Sequence, residues 1–149
     1  MYIYDISQPP AITQLGMYEH IVSCDPVVAN DRYAFVTLRS SMNNDACNRS
    51  VNQLDVIDIR NLTQPELVES YAMKHPIGLG LYGDTLLVCD DGLKVMDATD
   101  VLNLNLIHHN TSLPAVDIIP FGNLMIIATE TGFAQYRYKN GQLKFLSSL

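Results

Sequence analysis

Apolar residues along this chain fall into short runs rich in Val, Ile, Leu and Tyr, each bounded by Gly, Asn, Asp or Pro. None of the runs keeps the i, i+3, i+4 spacing of an amphipathic helix, so the pattern predicts β-strands throughout. The pairs Asn30-Asp31, Gly83-Asp84, Gly122-Asn123 and Asn140-Gly141 each stand between two runs. Those are the residue types a tight hairpin needs.

One phrase recurs: a short, mostly apolar run, then Asp, then a small or apolar residue. It reads Tyr2-Ile3-Tyr4-Asp5-Ile6, Asp55-Val56-Ile57-Asp58-Ile59 and Lys94-Val95-Met96-Asp97-Ala98, with a degenerate copy at Ala134-Gln135-Tyr136-Arg137-Tyr138. Asp5 and Asp58 are 53 residues apart, Asp58 and Asp97 are 39 apart, and Asp97 and Arg137 are 40 apart. A second phrase, Asp31-Arg32-Tyr33-Ala34-Phe35-Val36, Asp84-Thr85-Leu86-Leu87-Val88 and Asn123-Leu124-Met125-Ile126-Ile127, repeats at the same intervals of 53 and 39. One repeat therefore carries an insertion of 14 residues, which fits best in the polar stretch from Arg39 to Gln53. A period near 40 built from short strands predicts an all-β chain of β-propeller blades.

Parsed as four-stranded antiparallel blades with strand A innermost, the chain holds about three and a half of them. Residues 1–18 supply only strands C (1–6) and D (11–18). Full blades follow at 24–73 (strands 25–29, 33–38, 54–59, 66–73), 77–108 (77–82, 85–89, 93–98, 103–108) and 115–149 (115–120, 124–129, 133–138, 142–147). Together they form one repeat domain spanning 1–149. An array of this size leaves an apolar blade face in water, so the expected partners are remaining propeller blades or a second copy of the chain. The first residues already lie inside a repeat, which reads as a piece of a longer protein.

At 149 residues and 48% hydrophobic content, with mean hydropathy +0.07, the chain can build a core. Net charge is −7, and the nine Lys and Arg form no basic run, which argues against a nucleic-acid partner. No apolar run reaches the roughly 18 residues of a membrane span, and no signal peptide is visible at the N-terminus. Of the three cysteines, Cys89 ends an apolar strand and reads as a small buried hydrophobe. Cys24 and Cys47 are either a disulfide tying down the inserted loop, which would suit an oxidising compartment, or two separate thiols.

The stretch Leu54-Asp55-Val56-Ile57-Asp58-Ile59, followed by Asn61, Pro65 and Leu67, resembles the LVIVD repeat. The similarity extends to Asp25-Pro26-Val27-Val28, Tyr33 to Ser40, Gly78-Leu79-Gly80 and Gly92-Leu93-Lys94-Val95, and so nearly to the whole chain; Arg137 departs from it where Asp is expected. Resemblance to that family implies a β-propeller of the bacterial cell envelope, often a lipoprotein. It implies an exported parent protein, periplasmic or at the cell surface. No catalytic set comes with it. The repeated Asp is expected to accept hydrogen bonds from turn amides after strand C.

In such a fold the D–A and B–C connections share one face, where ligands bind. His20, His75 and the pair His108-His109 fall in D–A connections, and Arg39, Asp90, Asp91 and Glu130 in B–C connections. His20, Arg39, His75, Asp90, Asp91, His108 and Glu130 are therefore the candidate ligand-binding residues. No His-x-x-x-His or carboxylate cluster has ligand spacing, so neither a metal nor a cofactor is expected. Gly-x-Ser-x-Gly is absent, and a Cys24–His20 nucleophile fails if Cys24 is bridged. The expected function is a non-enzymatic interaction scaffold holding an envelope protein or glycan. The alternative is a hydrolase- or lyase-type enzyme with its site on the same face.

Overall fold

A computed structural model describes residues 1–19, 26–40 and 51–149, and among these the chain is all-β. The strands are β1 (Tyr2–Gln8), β2 (Ala11–Met17), β3 (Val27–Ala29), β4 (Tyr33–Leu38), β5 (Gln53–Asp58), β6 (Glu66–Ala72), β7 (Pro76–Tyr82), β8 (Thr85–Asp90), β9 (Leu93–Asp97), β10 (Asn105–Asn110), β11 (Ala115–Phe121), β12 (Leu124–Thr129), β13 (Gly132–Lys139) and β14 (Gln142–Ser148). They form one two-stranded and three four-stranded antiparallel sheets: β1-β2 (sheet 1), β3-β4-β5-β6 (sheet 2), β7-β8-β9-β10 (sheet 3) and β11-β12-β13-β14 (sheet 4). Each sheet is a meander of sequential strands, and the inner strand β7 contacts β3 on one side and β11 on the other. The predicted strand order, a two-stranded unit followed by three four-stranded ones, agrees with this arrangement.

The sheets stack face to face, and the pleat sorts alternate residues to the two sides. Ala34, Val36, Leu38 and Ile57 of sheet 2 meet Met1 and Tyr18 beside sheet 1. Phe35, Leu54 and Val56 on its other face pack with Leu79, Leu86, Val88 and Met96 of sheet 3. Leu87, Cys89, Leu93 and Val95 then face Ile118, Met125 and Ile127 of sheet 4. Strands β4 and β8 are buried on both sides, which is why they read as unbroken apolar runs. Gly78 on β7 is required by the close approach of sheet 4: a Cβ there would lie 2.5 Å from the Val116 carbonyl oxygen.

The repeated Asp caps the turn between the last two strands of a sheet. Asp5 accepts from the Ser7 amide at 2.8 Å, Asp58 from the Arg60 amide at 3.0 Å, and Asp97 from the Thr99 amide at 2.9 Å. Sheet 4 dispenses with the cap because Lys139 pairs with Gln142 across a two-residue turn. Asn140 and Gly141 hold that turn with φ of 50° and 78°. Arg137 thus stands where the backbone no longer needs an acceptor.

Three sequence expectations are corrected. The second phrase is out of register by one residue, since Tyr33 pairs with Asp58 whereas Thr85, not Leu86, pairs with Asp97. The hairpin turn before β4 is Asp31-Arg32 rather than Asn30-Asp31, because Asn30 bonds Tyr33 and its side chain accepts from the Arg32 and Tyr33 amides. The outer strand of sheet 3 spans 105–110 instead of 103–108. Asp100 accepts from the Leu102 amide and the Asn103 side chain, and the resulting turn buries Val101 and delays the strand. The insertion does lie between β4 and β5, where Asn52 Oδ1 accepts from the Ser40 amide at 2.8 Å. His20, Cys24, Cys47 and residues 41–50 of that loop lie outside the described residues.

Candidate functional site

The connections β6–β7, β8–β9, β10–β11 and β12–β13 emerge on one side of the stack and enclose a cleft of about 240 Å³ between sheets 3 and 4. Its floor is Ile77, Ala115 and Val116; its rim is Lys74, His75, Asp91, Gly92, Pro114 and Glu130. Three of the predicted residues, His75, Asp91 and Glu130, are thereby brought together from three separate connections.

Asp90 organises the rim from beneath. Its side chain is fully buried at the end of β8, where it accepts from the His75 amide at 2.5 Å, the Lys74 amide at 3.1 Å and Lys94 Nζ at 2.6 Å. Burial works hardest against its ionisation, yet these donors together outweigh it and hold the carboxyl below its ordinary pKa. Asp90 therefore fixes the backbone that presents Lys74 and His75, and its oxygens are not offered to solvent as a ligand-binding role requires. Asp91 and Gly92 make the turn with φ of 54° and 105°. Glycine is needed there because a Cβ would stand 2.3 Å from the Asn110 carbonyl oxygen. Lys74 Nζ bonds Asp91 Oδ2 at 2.7 Å, an exposed pair that raises the lysine pKa chiefly through that hydrogen bond.

The imidazole of His75 and the carboxylate of Glu130 are exposed on the rim and make no hydrogen bond or ion pair among the described residues. Arg39 follows β4 and is half-buried at the base of the inserted loop, outside the cleft lining. His108 is not in a connection: it lies within β10, paired with Val95, because that strand begins two residues late. His109, its neighbour, reaches the rim instead, with Nε2 3.0 Å from the Asp91 carbonyl oxygen. Lys74 and Lys94 were not singled out from the sequence, and His109 was placed with His108 in the D–A connection but left out of the candidate set. The i, i+4 spacing of Asp90 and Lys94 was a legible signal for the buried pair; nothing local marked His109 over His108.

Among the described residues no three His, Cys, Asp or Glu side chains gather as a metal ion would require, and no helix is long and apolar enough to cross a membrane. Cys89, on the inner face of sheet 3, is a free buried thiol whose pKa is pushed up to about 12 by burial and then by Asp117. Such a thiol is inert at neutral pH.

No family model matches the chain, and no curated protein matches it. Solved structures do. The N-terminal domain of Nup159 aligns with 83% of this chain and 29% of that one, at 14% identity and a TM-score of 0.49. A chain of the complex of an S. cerevisiae Dbp5 variant bound to Nup159, a Gle1 variant, IP6 and ADP aligns over the same shares, at 13% identity and a TM-score of 0.50. The likeness is one of fold alone, a β-rich repeat of four-stranded antiparallel sheets. This chain spans under a third of the length of the chains it matches.

Proposed function

We propose that the protein is a non-enzymatic interaction scaffold of the cell envelope, and that its recognition surface is the cleft between sheets 3 and 4. The observation that carries this reading is the pairing of an apolar floor, Ile77, Ala115 and Val116, with an uncommitted imidazole and carboxylate at the rim. A few convergent polar groups over an apolar base suit recognition of a peptide or glycan. Asp90 and Lys94 neutralise each other beneath the surface, and Lys74 and Asp91 do so upon it, which leaves His75 and Glu130 to contact a partner. The envelope location is supported by the LVIVD-like stretch around Asp58.

The test is a chemical-shift titration of the labelled chain with cell-wall oligosaccharides and short acidic and basic peptides. One class should perturb the amides of His75, Asp91 and Glu130, and its affinity should fall about tenfold in the His75→Ala, Glu130→Ala double variant. Turnover of any probe that His75→Ala abolishes without unfolding the protein would contradict a non-enzymatic role.

A further inference from the structure

Sheets 3 and 4 turn corresponding connections into the cleft, and the strand register aligns them residue by residue. Pro76 pairs with Asp90 as Ala115 pairs with Thr129, and each pairing is followed by a one-residue bulge, at Ile77 in β7 and Val116 in β11. Asp91 and Glu130, each the residue after its strand ends, therefore occupy the same place. Two residues before Pro76 stands Lys74, whose Nζ holds Asp91 at 2.7 Å. Two residues before Ala115 stands Leu113, which is buried in the core between sheets 3 and 4. Glu130 thus lacks the cation that its counterpart has. Both connections lie inside the chain, so the difference comes from residue 113 itself.

We propose that the cleft seats a single lysine or arginine side chain from an extended segment of a protein partner, an inference that rests on the cleft being the recognition surface. The methylene stem lies on Ile77, Ala115 and Val116, and the cationic head takes the place at Glu130 that Lys74 takes at Asp91. Long cationic side chains suit such a site, being apolar along the stem and charged at the tip. The imidazole of His75 on the same rim offers the head a second acceptor whenever it is neutral. Size agrees: at about 240 Å³ the cleft falls below the roughly 300–1,000 Å³ of sites that enclose a whole small molecule. It has room for one side chain. Charge agrees too, since 16 Asp and Glu against nine Lys and Arg give the chain a field that draws in a basic segment and repels an acidic one. A sugar ring fits less well, because its hydroxyls would face three aliphatic residues without a hydrogen-bond partner.

The test is a chemical-shift titration with end-blocked peptides that differ only at the central residue, which is lysine, arginine, norleucine or glutamate. A neutral cell-wall oligosaccharide is the remaining probe. The lysine and arginine peptides should perturb the amides of Ile77, Val116 and Glu130. They should bind about fivefold tighter than the norleucine peptide, which keeps the stem and lacks the charge. Glu130→Gln should remove that advantage and leave the norleucine peptide unaffected. Lys74→Met, which frees the Asp91 carboxylate, should strengthen the lysine peptide about twofold. Both substituted side chains are exposed, so neither change threatens the fold. Equal affinity for the lysine and norleucine peptides overturns the proposal, as does an advantage that survives Glu130→Gln. If the glutamate peptide or the oligosaccharide perturbs these amides and the lysine peptide does not, the cleft stands as a recognition surface and the cationic occupant falls. Silence of the cleft amides under every probe overturns both.

Discussion

Sheets 3 and 4 are built on the same strand plan but differ in what covers them. Sheet 3 has a neighbour on each face, and Leu86, Leu87, Val88, Cys89, Leu93 and Val95 are all fully buried. Sheet 4 has a neighbour on one face only. Its register equivalents of Leu93, Val95 and Asp97 are Phe133, Gln135 and Arg137, all exposed. Where sheet 3 carries the buried Asp90–Lys94 pair, sheet 4 has Thr129 and Ala134. The comparison teaches that the repeat encodes strand order and turns, while the identity of each facing residue depends on whether another sheet is there to meet it.

The largest effect should come from Asp90→Ala. It strands a largely buried lysine and two backbone amides, at a cost of about 3–5 kcal/mol. Thr129→Ala at the matching place in sheet 4 should cost under about 1 kcal/mol. Denaturant unfolding of both variants measures the difference, and equal losses would break the comparison. Next comes Leu87→Ala, expected to cost about 3 kcal/mol because the side chain is enclosed between sheets. Its counterpart Ile126→Ala, half-exposed on the outer face, should cost about a third of that.

A smaller loss, about 1–2 kcal/mol, is expected for Tyr71→Phe. The Tyr71 hydroxyl donates to the Val101 carbonyl at 2.7 Å and accepts from the Leu104 amide at 3.1 Å, pinning sheet 2 to the C–D turn of sheet 3. No equivalent bond from sheet 3 pins the turn at Asn140 among the described residues, so the same kind of substitution has no counterpart in sheet 4.

The smallest effect is the acid dependence of the Asp turns. Hydrogen bonds hold Asp5, Asp58 and Asp97 below the ordinary carboxylate pKa of 3.8, with Asp58 lowered to about 2 chiefly by the Arg60 side chain. Their contribution to stability is present above the unfolded value and is lost as pH falls from there toward about 2. Replacing Asp97 by Asn should flatten the decline of melting temperature over that interval. An unchanged slope would show that the turn hydrogen bonds do not favour the ionised form.

Sheet boundaries were legible in the sequence because period and turn chemistry act locally. The Asp58 and Asp97 motifs, the Gly83 and Gly122 turns and the unbroken apolar runs of β4 and β8 each state their structural role within a few residues. Less legible was anything set by a partner distant in the chain. Asn30 capping displaced one hairpin by a residue, and the Asp100 turn carried His108 into a strand and put His109 at the rim. Asp90 looked like an exposed turn carboxylate until its three donors, two of them backbone amides from the preceding connection, came into view. His75, Asp91 and Glu130 were found together because the side of a blade on which a connection emerges follows from strand order alone.

Hydrogen exchange read by mass spectrometry tests the central claim, that sheet 3 is the doubly covered centre of the stack and sheets 1 and 4 its singly covered ends. The account predicts the slowest amides in β8 and β9, intermediate rates in β12 and β13, and the fastest in β1 and β2. Protection in β12 and β13 equal to or above that of β8 and β9 would contradict it.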